Sequence, residues 1–252
     1  MSGTSMDGLD CGLFEIYLSS EYKMNWNCLD FKTILYPDSI RNIINKALIG
    51  DDEVIHNADR ELGQIYASFA EVFLKDREID FIASHGQTIS HSDGISTTQI
   101  GNPCFLFKEY SVPIIYNFRQ ADIDVHGNGA PLMPFLDWLL FKESKKNTIT
   151  LNLGGMANIS YIPASGYRED VMGFDTGPGM ALIDETCRNV LDIDMDQDGL
   201  RTAQGKVNTE LLTELMQSEY VTKKPPKSTG RNEFGADMVV KIIQEKLNIT
   251  LE

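Results

Sequence analysis

Residues with catalytic potential cluster in short polar, glycine-rich segments, and one of these is GFDTGPG at residues 173–179. This segment places Asp175 between a strand-like stretch and a Gly-Pro-Gly turn. A carboxylate at a strand end projects outward, and neighbouring glycines let a substrate approach the backbone closely. Asp175 is therefore a candidate general base acting on water or on a hydroxyl group. Thr176 and Gly177 beside it are candidate substrate contacts.

The same Asp-Thr-Gly tripeptide forms the active site of aspartic proteases, where two such carboxylates share one proton. The chain has one copy, so a protease would have to be a homodimer. Helical periodicity is abundant in this sequence, whereas the protease pattern is all β. Insensitivity to pepstatin-type inhibitors and a high helix content would exclude this alternative.

Two further glycine-rich segments, SGTSMDG at residues 2–8 and NLGGMAN at residues 152–158, have the composition of phosphate-binding hairpins. Neither matches a P-loop or a dinucleotide-binding fingerprint. Backbone N–H groups and hydroxyls in such turns can grip a triphosphate, and Asp7 can orient Mg²⁺ through water. From the second segment we predict phosphate contacts by Gly154, Gly155 and Asn158.

The loop-like segment HGQTISH carries His85 and Gln87, whose side chains offer the directional donors and acceptors that sugar hydroxyls require. A purely structural hydrogen-bonding pair is the alternative. His85 and His91 do not have the spacing of a helical zinc site. The segment DMDQDG at residues 194–199 resembles half of a calcium loop, but Gly205 stands where a bidentate Glu is needed. A solvated acidic turn is the favoured interpretation there.

Composition narrows the class of protein. The chain has 252 residues, 42% of them apolar, and a net charge of −15, which argues against a nucleic-acid partner. No apolar run approaches the roughly 20 residues that would span a bilayer, and no secretory signal is apparent. We therefore expect a cytoplasmic protein with no membrane contact, whose four scattered cysteines are free thiols. The basic segment KKPPKSTGR reads as a loop, either solvated or in contact with an anion.

Hydrophobic periodicity predicts an α/β protein with two lobes, residues 1–143 and 144–252. The first lobe is expected to end with an apolar helix at PLMPFLDWLLFK, and the second to begin with two strands joined by Gly154-Gly155. The predicted strands are residues 9–18, 31–36, 79–84, 112–118, 148–153, 156–162 and 171–174, the last of which runs into the Gly-rich turn. The predicted helices are residues 40–48, 55–75, 131–142, 181–191 and 236–247.

Taken together, these segments resemble the anhydro-N-acetylmuramic acid kinases, a branch of the sugar kinase, Hsp70 and actin superfamily. The resemblance covers nearly the whole chain in family order. It is carried by MSGTSMDGLD, SHGQTISH, QIGNP, FRQADID, GNGAPLMP, NLGGMANIS, GFDTGPG, QGKVN and PKSTGR.

The resemblance implies a two-lobed actin-like ATPase fold, related to ribonuclease H, with a ligand cleft between the lobes. It also implies an enzyme that uses ATP and Mg²⁺ to open the 1,6-anhydro ring of anhydro-N-acetylmuramic acid with water. The 6-oxygen is then phosphorylated, and relatives of this kind are commonly dimers. Asp175 corresponds to the base that activates water, and Lys227 and Arg231 are inferred anion contacts. The N-terminal loop corresponds to the phosphate grip: Gly3, Thr4, Ser5, Met6, Asp7, Gly8, Leu9 and Asp10.

Members of the family normally have a strand before MSGTS and a further segment after the last residue here, so the second lobe is expected to be incomplete. On that basis we expect weak ATP binding and slow turnover by this chain alone. We also expect the apolar stripe from Met238 to Leu247 to be exposed, which would favour association. A non-catalytic remnant that binds the amino sugar but not ATP is the alternative function.

Overall fold

The computed structural model describes residues 1–3, 6, 8–19, 23–231 and 233–246 of the chain. Helices and strands are mixed along the sequence, as the periodicity predicts for an α/β protein. The residues divide into two compact units, Met1–Ala130 and Pro131–Glu252. No helix within the described ranges is long and apolar enough to cross a bilayer.

The first unit begins with a long antiparallel hairpin. Strand β1 (Gly8–Ser19) pairs with β2 (Lys23–Leu35), and Leu9 lies opposite Ile34. β1 confirms the predicted strand. β2 begins well before the predicted Phe31, because the preceding segment MNWNCL also alternates apolar and polar residues.

Two helices pack beside this hairpin and confirm the predicted helical periodicity. They are α1 (Asp38–Ile49) and α2 (Asp52–Leu74). The Asp51 carboxylate caps α2 by accepting a hydrogen bond from the Val54 N–H at 3.0 Å. The buried faces of both helices join β1 in one hydrophobic core, whose members are Leu9, Tyr36, Ile40, Ile44, Ala47, Ala58, Leu62, Tyr66 and Ile100.

The rest of the first unit contains two short strand pairs. β3 (Ile82–Ala83) and β6 (Ile114–Ile115) are parallel, and each is shorter than the predicted strand. β4 (Gln87–Ser92) and β5 (Ser96–Ile100) form a hairpin, so most of the segment predicted as a loop is a strand. The reason is pairing across the turn at residues 93–95, which periodicity within HGQTISH could not reveal. The accompanying helices are α3 (Cys104–Tyr110) and α4 (Phe118–Ile123).

The second unit is built on a three-stranded antiparallel sheet in the order β7-β8-β9. The strands are β7 (Thr148–Leu153), β8 (Met156–Ile162) and β9 (Met172–Pro178). β7 and β8 confirm the predicted strands, whereas β9 continues through Gly177 and Pro178, which were expected to lie in a turn. Helix α5 (Met133–Phe141) packs on this sheet.

Helix α5 therefore lies in the second unit and not at the end of the first, where the sequence analysis put it. The buried Asp137 carboxylate accepts hydrogen bonds from Thr150 Oγ (2.7 Å) and Ser160 Oγ (2.6 Å). A side chain at Gly173 would collide with Pro134, so the helix and β9 touch closely. These contacts move the division between the units from the expected residues 143/144 to residues 130/131.

Four helices follow the sheet: α6 (Ala181–Thr186), α7 (Thr209–Met216), α8 (Glu219–Thr222) and α9 (Ala236–Lys246). A π-helical turn continues α6 through Leu191. The expectation of an exposed stripe on α9 is wrong for its described residues, because Val239 and Ile243 are buried and α9 packs against α6. Leu247, the last residue of that stripe, lies outside the described residues.

Candidate functional site

Asp175 lies in β9 at the end of a polar row that crosses the sheet. Its Cα is paired with that of Asn158 in β8, which is itself paired with Asn152 in β7. Residues directly opposite each other in antiparallel strands project to the same face, with Cβ atoms about 4.5–5.5 Å apart. The sheet therefore brings a carboxylate and two carboxamides together, and it joins the predicted base to the predicted phosphate contact Asn158.

The backbone and the carboxylate of Asp175 are both held by the segment from residue 220 to residue 229. The Asp175 N–H donates to the carbonyl of Lys227 (3.0 Å), and the Asp175 carbonyl accepts from the hydroxyl of Tyr220 (2.8 Å). The N–H of Thr229 donates to Asp175 Oδ2 at 3.0 Å. This hydrogen bond fixes the orientation of the carboxylate of Asp175 relative to the loop.

The two glycine turns of the second unit lie in contact beside Asp175. The N–H groups of Gly179 and Ala181 donate to the carbonyl of Gly155 (2.9 and 3.0 Å), and that of Met180 donates to the carbonyl of Gly154 (2.8 Å). These bonds use the carbonyl oxygens of the turn, whereas phosphate would be bound by its N–H groups. The structure thus brings Gly154 and Gly155 against residues 179–181, which follow the strand that carries Asp175.

Thr176 and Gly177 continue β9 past the base. The Thr176 hydroxyl donates to the carbonyl of Ala157 at 3.2 Å, so its oxygen still has acceptor capacity. Gly177 is buried and paired with Ala157. Thr176 is half-buried and has a polar side chain, so of the two predicted substrate contacts it is the one with a side chain that can form a hydrogen bond.

Lys227 does not have the role that the sequence analysis gave it. Its side chain is only 7% exposed, and its ammonium donates to the carbonyls of Tyr220 (2.9 Å) and Val221 (3.1 Å). The same ammonium lies 4.6 Å from the centre of the Tyr220 ring. A buried cation committed to internal carbonyls is structural, so the expected anion contact does not fit this residue.

Arg231 belongs to a charged cluster with α6. Its Nη1 lies 3.4 Å from Glu185 Oε1, which also accepts from Arg188 Nη2 at 2.7 Å. The hydrogen bond that Arg188 donates to Glu185 raises the pKa of Arg188. Arg231 Nε is buried without a hydrogen-bond partner among the described residues. The guanidinium of Arg231 therefore retains donor capacity, and its predicted anion contact remains a prediction.

The N-terminal loop is partly described, because Thr4, Ser5 and Asp7 lie outside the described residues. The Met6 N–H donates to the Gly3 carbonyl at 3.2 Å and closes a turn. At Gly8, an added Cβ would lie 2.6 Å from the carbonyl oxygen of Ile34, so only glycine fits against β2. Leu9 is a core residue, and the exposed Asp10 carboxylate accepts from the Thr33 hydroxyl at 2.6 Å.

A buried chain of hydrogen bonds anchors Ser2, at the start of this loop, to Gln87, Tyr36 and Tyr66. Ser2 Oγ donates to Gln87 Oε1, and Tyr36 Oη lies 3.0 Å from Ser2 Oγ and 3.3 Å from Tyr66 Oη. Burial raises the pKa of both tyrosines, which keeps their hydroxyls protonated as donors. Gln87 is 1% exposed, so it supports the loop and is not placed for the direct sugar contact that was expected.

His85 is a neutral imidazole in a half-buried position. Arg119 Nε donates to His85 Nε2 (3.1 Å), so Nδ1 carries the proton and donates to the Gly86 carbonyl at 2.9 Å. Burial and the nearby charge of Arg119 lower the pKa of His85. A cavity of about 230 Å³ adjoins His85, and Gly101 and the half-buried Asp59 help to line it. His85 therefore lies where a small polar ligand could reach it.

Asp59 holds one wall of that cavity. Its carboxylate accepts from the Gly101 N–H (3.0 Å) and from Asn102 Nδ2 (2.9 Å), which fixes the QIGNP loop against α2. Asp59, Arg119, Tyr36 and Tyr220 were not predicted as site residues. FRQADID contains Arg119 and QIGNP contains the partners of Asp59, but no local pattern indicates that Arg119 binds His85 or that Asp59 binds Gly101.

The segments considered for metal binding contribute to structure. The calcium-like segment is exposed as expected except at Asp196, which is buried and accepts from the N–H groups of Arg201 and Thr202, both at 2.8 Å. The Thr202 hydroxyl, which also donates to it, and these N–H groups lower the pKa of Asp196. Across the part of the chain that the structure describes, no group of three or more His, Cys, Asp or Glu could hold a metal.

The fold and the site define a mixed α/β protein with a carboxylate, carboxamides and glycine turns gathered at one end of a sheet. A sequence model of the family described as anhydro-N-acetylmuramic acid kinase matches residues 1–251. The chain belongs to this family.

Curated relatives support the assignment. A protein named anhydro-N-acetylmuramic acid kinase from Bacillus cereus is 36% identical over 257 residues, covering 96% of this chain and 66% of the relative. A relative with the same name from Clostridioides difficile (strain 630) is 37% identical over 249 residues, covering 93% and 65%. The chain thus spans about two thirds of the length of the curated relatives it matches.

Proposed function

We propose that the protein is an ATP- and Mg²⁺-dependent kinase that acts on 1,6-anhydro-N-acetylmuramic acid. In this reaction water adds to the anomeric carbon, the bond from that carbon to O6 breaks, and O6 receives the γ-phosphoryl group. The products are N-acetylmuramic acid 6-phosphate and ADP. Because ATP is an intracellular substrate, we place the enzyme in the cytoplasm, in recycling of cell-wall sugar.

The observation that carries the proposal is the setting of Asp175. Its carboxylate shares a sheet face with Asn158 and accepts a hydrogen bond from the Thr229 N–H. Ring opening needs a base within hydrogen-bond reach of a water molecule, and Asp175 fills that role by taking the water proton. Thr176 and Gly177 would contact the sugar beside it.

The phosphate grip is assigned to the N-terminal loop from Gly3 to Asp10 and to the Gly154–Gly155 turn. Phosphoryl transfer depends mainly on positioning and on stabilisation of charge, which N–H groups and hydroxyls provide. The Asp10 carboxylate is exposed and one of its oxygens is bound by Thr33, which fits the hard oxygen ligands of Mg²⁺. Asp7, through water, and Asp10 would hold the ion, which neutralises developing charge on the phosphates.

The finer fold assignment belongs to the same proposal. We infer a two-lobed actin-like ATPase whose first lobe carries the phosphate grip and whose second carries the base. His85, beside its cavity, would then contact the sugar, and Arg231 an anionic group of either ligand. A homodimer is the proposed assembly.

The direct test is ADP release by the purified protein with Mg-ATP, in the presence and absence of the anhydro sugar. Asp175→Asn should lower kcat by about 10²- to 10⁴-fold, the range for loss of a general base, while sugar binding measured by calorimetry is retained. Asp192→Asn is the matched control, because Asp192 is exposed and its positive φ of 53° suits asparagine.

Three results would overturn the proposal. ADP release that does not depend on the sugar would contradict the substrate. An unchanged rate in Asp175→Asn would remove Asp175 from the mechanism. Sugar binding without any ADP release would instead indicate a non-catalytic amino-sugar-binding protein.

A further inference from the structure

Tyr220 and Lys227 form a buried pair that packs behind the candidate base. Tyr220 is 5% exposed, and its ring makes an edge contact with the buried Phe234 at a centroid distance of 5.5 Å. The Lys227 ammonium lies 4.6 Å from the centre of the same ring and binds the carbonyls of Tyr220 and Val221. These carbonyls lie in the last turn of the short helix α8, where a cation is favoured by the helix dipole.

Burying the Lys227 ammonium costs solvation free energy. The carbonyls of Tyr220 and Val221 bind it in place of the anion expected from the sequence. Removing a charged group from water costs several kcal/mol unless hydrogen bonds compensate. An apolar side chain of similar length would fill the same space without that cost. The ammonium, by binding two carbonyls of this segment, fixes the conformation of the chain between Tyr220 and Lys227.

The same two residues bind both polar backbone groups of Asp175. The Tyr220 hydroxyl donates to the Asp175 carbonyl (2.8 Å), and the Lys227 carbonyl accepts from the Asp175 N–H (3.0 Å). Two residues beyond Lys227, the Thr229 N–H donates to the carboxylate itself. The orientation of the carboxylate is thus tied to the geometry that Lys227 imposes on the loop.

We propose that Tyr220 and Lys227 are positioning residues that hold Asp175 in its working orientation. The proposal rests on the role of Asp175 as the base in the proposed function. Neither side chain needs to touch the substrate, because both act through the backbone of β9 and through the Thr229 amide. Displacement of a reacting group by 1 Å can cost about 100-fold in rate, so small shifts here would be visible.

Tyr220→Phe is the sharpest variant, since it removes only the hydroxyl and keeps the ring that contacts Lys227 and Phe234. We expect kcat to fall about 10- to 100-fold, with the KM values for sugar and ATP changed by less than about twofold. Tyr167→Phe, at a tyrosine that is 76% exposed, is the matched control. Lys227→Met should lower kcat similarly, whereas the exposed Lys224→Met should not.

Amide hydrogen exchange provides a readout that does not depend on turnover. In Tyr220→Phe the Asp175 and Thr229 amides should lose protection, while the β7–β8 ladder amides keep theirs. A purely structural role would instead lower protection throughout the second unit and reduce the melting temperature without separating kcat from KM.

The outcomes distinguish the two proposals. If Asp175→Asn keeps full activity, the proposed function fails. If Asp175→Asn is inactive but Tyr220→Phe has wild-type kcat and wild-type protection at Asp175, the positioning role fails and the function stands. If the wild-type chain shows no turnover, unchanged exchange at Asp175 and Thr229 in Tyr220→Phe overturns the positioning role by itself.

Discussion

At the scale of single residues, the side chains that chemistry would use are supported by neighbours that hold one protonation or rotational state. His85 is an example, because Arg119 can only donate and therefore forces His85 Nε2 to accept. Asp175 is another, since one of its carboxylate oxygens accepts from the Thr229 N–H at 3.0 Å. Such support lowers the entropy cost of ordering a ligand site.

The lowered pKa of His85 predicts a specific pH dependence of stability. Its ordinary value is 6.5, and burial together with Arg119 depresses it in the folded state. Below pH 6.5 the unfolded chain takes up a proton that the folded chain resists, so stability falls as the pH falls towards the folded pKa. Well above pH 6.5 the residue is neutral in both states and makes no pH-dependent contribution to the free energy of unfolding.

Thermal melting of the wild type and of His85→Gln should therefore be compared between pH 8 and pH 5. The difference between the two melting temperatures should be about constant above pH 6.5. Below pH 6.5 the melting temperature of the wild type should fall relative to that of His85→Gln. The exposed His56→Gln is the control, with a pH dependence like that of the wild type. Parallel melting curves for His85→Gln and the wild type at every pH would contradict this account.

At the scale of elements, the site depends on the contact between two turns that are distant in sequence. The β7–β8 turn at Gly154-Gly155 accepts three hydrogen bonds from the start of α6 and the residues just before it. At Gly179 an added Cβ would lie 2.2 Å from the Gly154 carbonyl oxygen, a distance that real structures do not tolerate. Glycine is needed here because two backbones approach closely.

Gly179→Ala should therefore lower the free energy of unfolding by about 1–3 kcal/mol, the usual cost of overpacking. Urea denaturation followed by circular dichroism measures the change. Gly154→Ala is the matched control in the same turn, because its nearest neighbours would be 3.7 Å away, and its effect should be below about 1 kcal/mol. Equal effects of the two substitutions would show that the turns do not pack as described.

At the scale of the whole molecule, two exposed apolar surfaces among the described residues and the large negative charge have opposite effects on self-association. The β7 surface consists of Ile149, Leu151 and Leu153, which are 63%, 60% and 62% exposed. The hairpin surface is the end of β1 and β2 around Ile16 and Trp26, which lie opposite each other and are about half exposed. Apolar patches favour association, whereas the net charge of −15 opposes it.

Self-association should consequently increase with salt. Raising the ionic strength from about 0.01 M to about 0.15 M shortens the Debye length from about 30 Å to about 8 Å and screens the repulsion. Sedimentation equilibrium should show a higher mass at the higher salt concentration, and replacing Ile149, Leu151 and Leu153 by Thr should reduce it. Ile95→Thr, at an isolated exposed residue, should leave the mass unchanged. A mass that falls with salt would show that charge pairs, and not these surfaces, drive association.

Local patterns by themselves determined much of this protein. Helix α2 follows from its apolar periodicity and its Asp51 cap, and the β7–β8 hairpin follows from strand-forming residues on both sides of Gly154-Gly155. These features depend on neighbours within a few residues, so the sequence contains what is needed to predict them. The motifs also led to the family, and the match over residues 1–251 confirmed it.

Only the tertiary structure decided how the side chains are used. Lys227 looked like a free cation in a loop and is a buried structural one, and Gln87 looked like a ligand contact and supports Ser2. Tyr220 carried no signal at all, although its hydroxyl reaches Asp175 across 45 residues of chain. The physical reason is that burial and hydrogen bonding between distant segments depend on how elements pack, and a local pattern does not encode that packing.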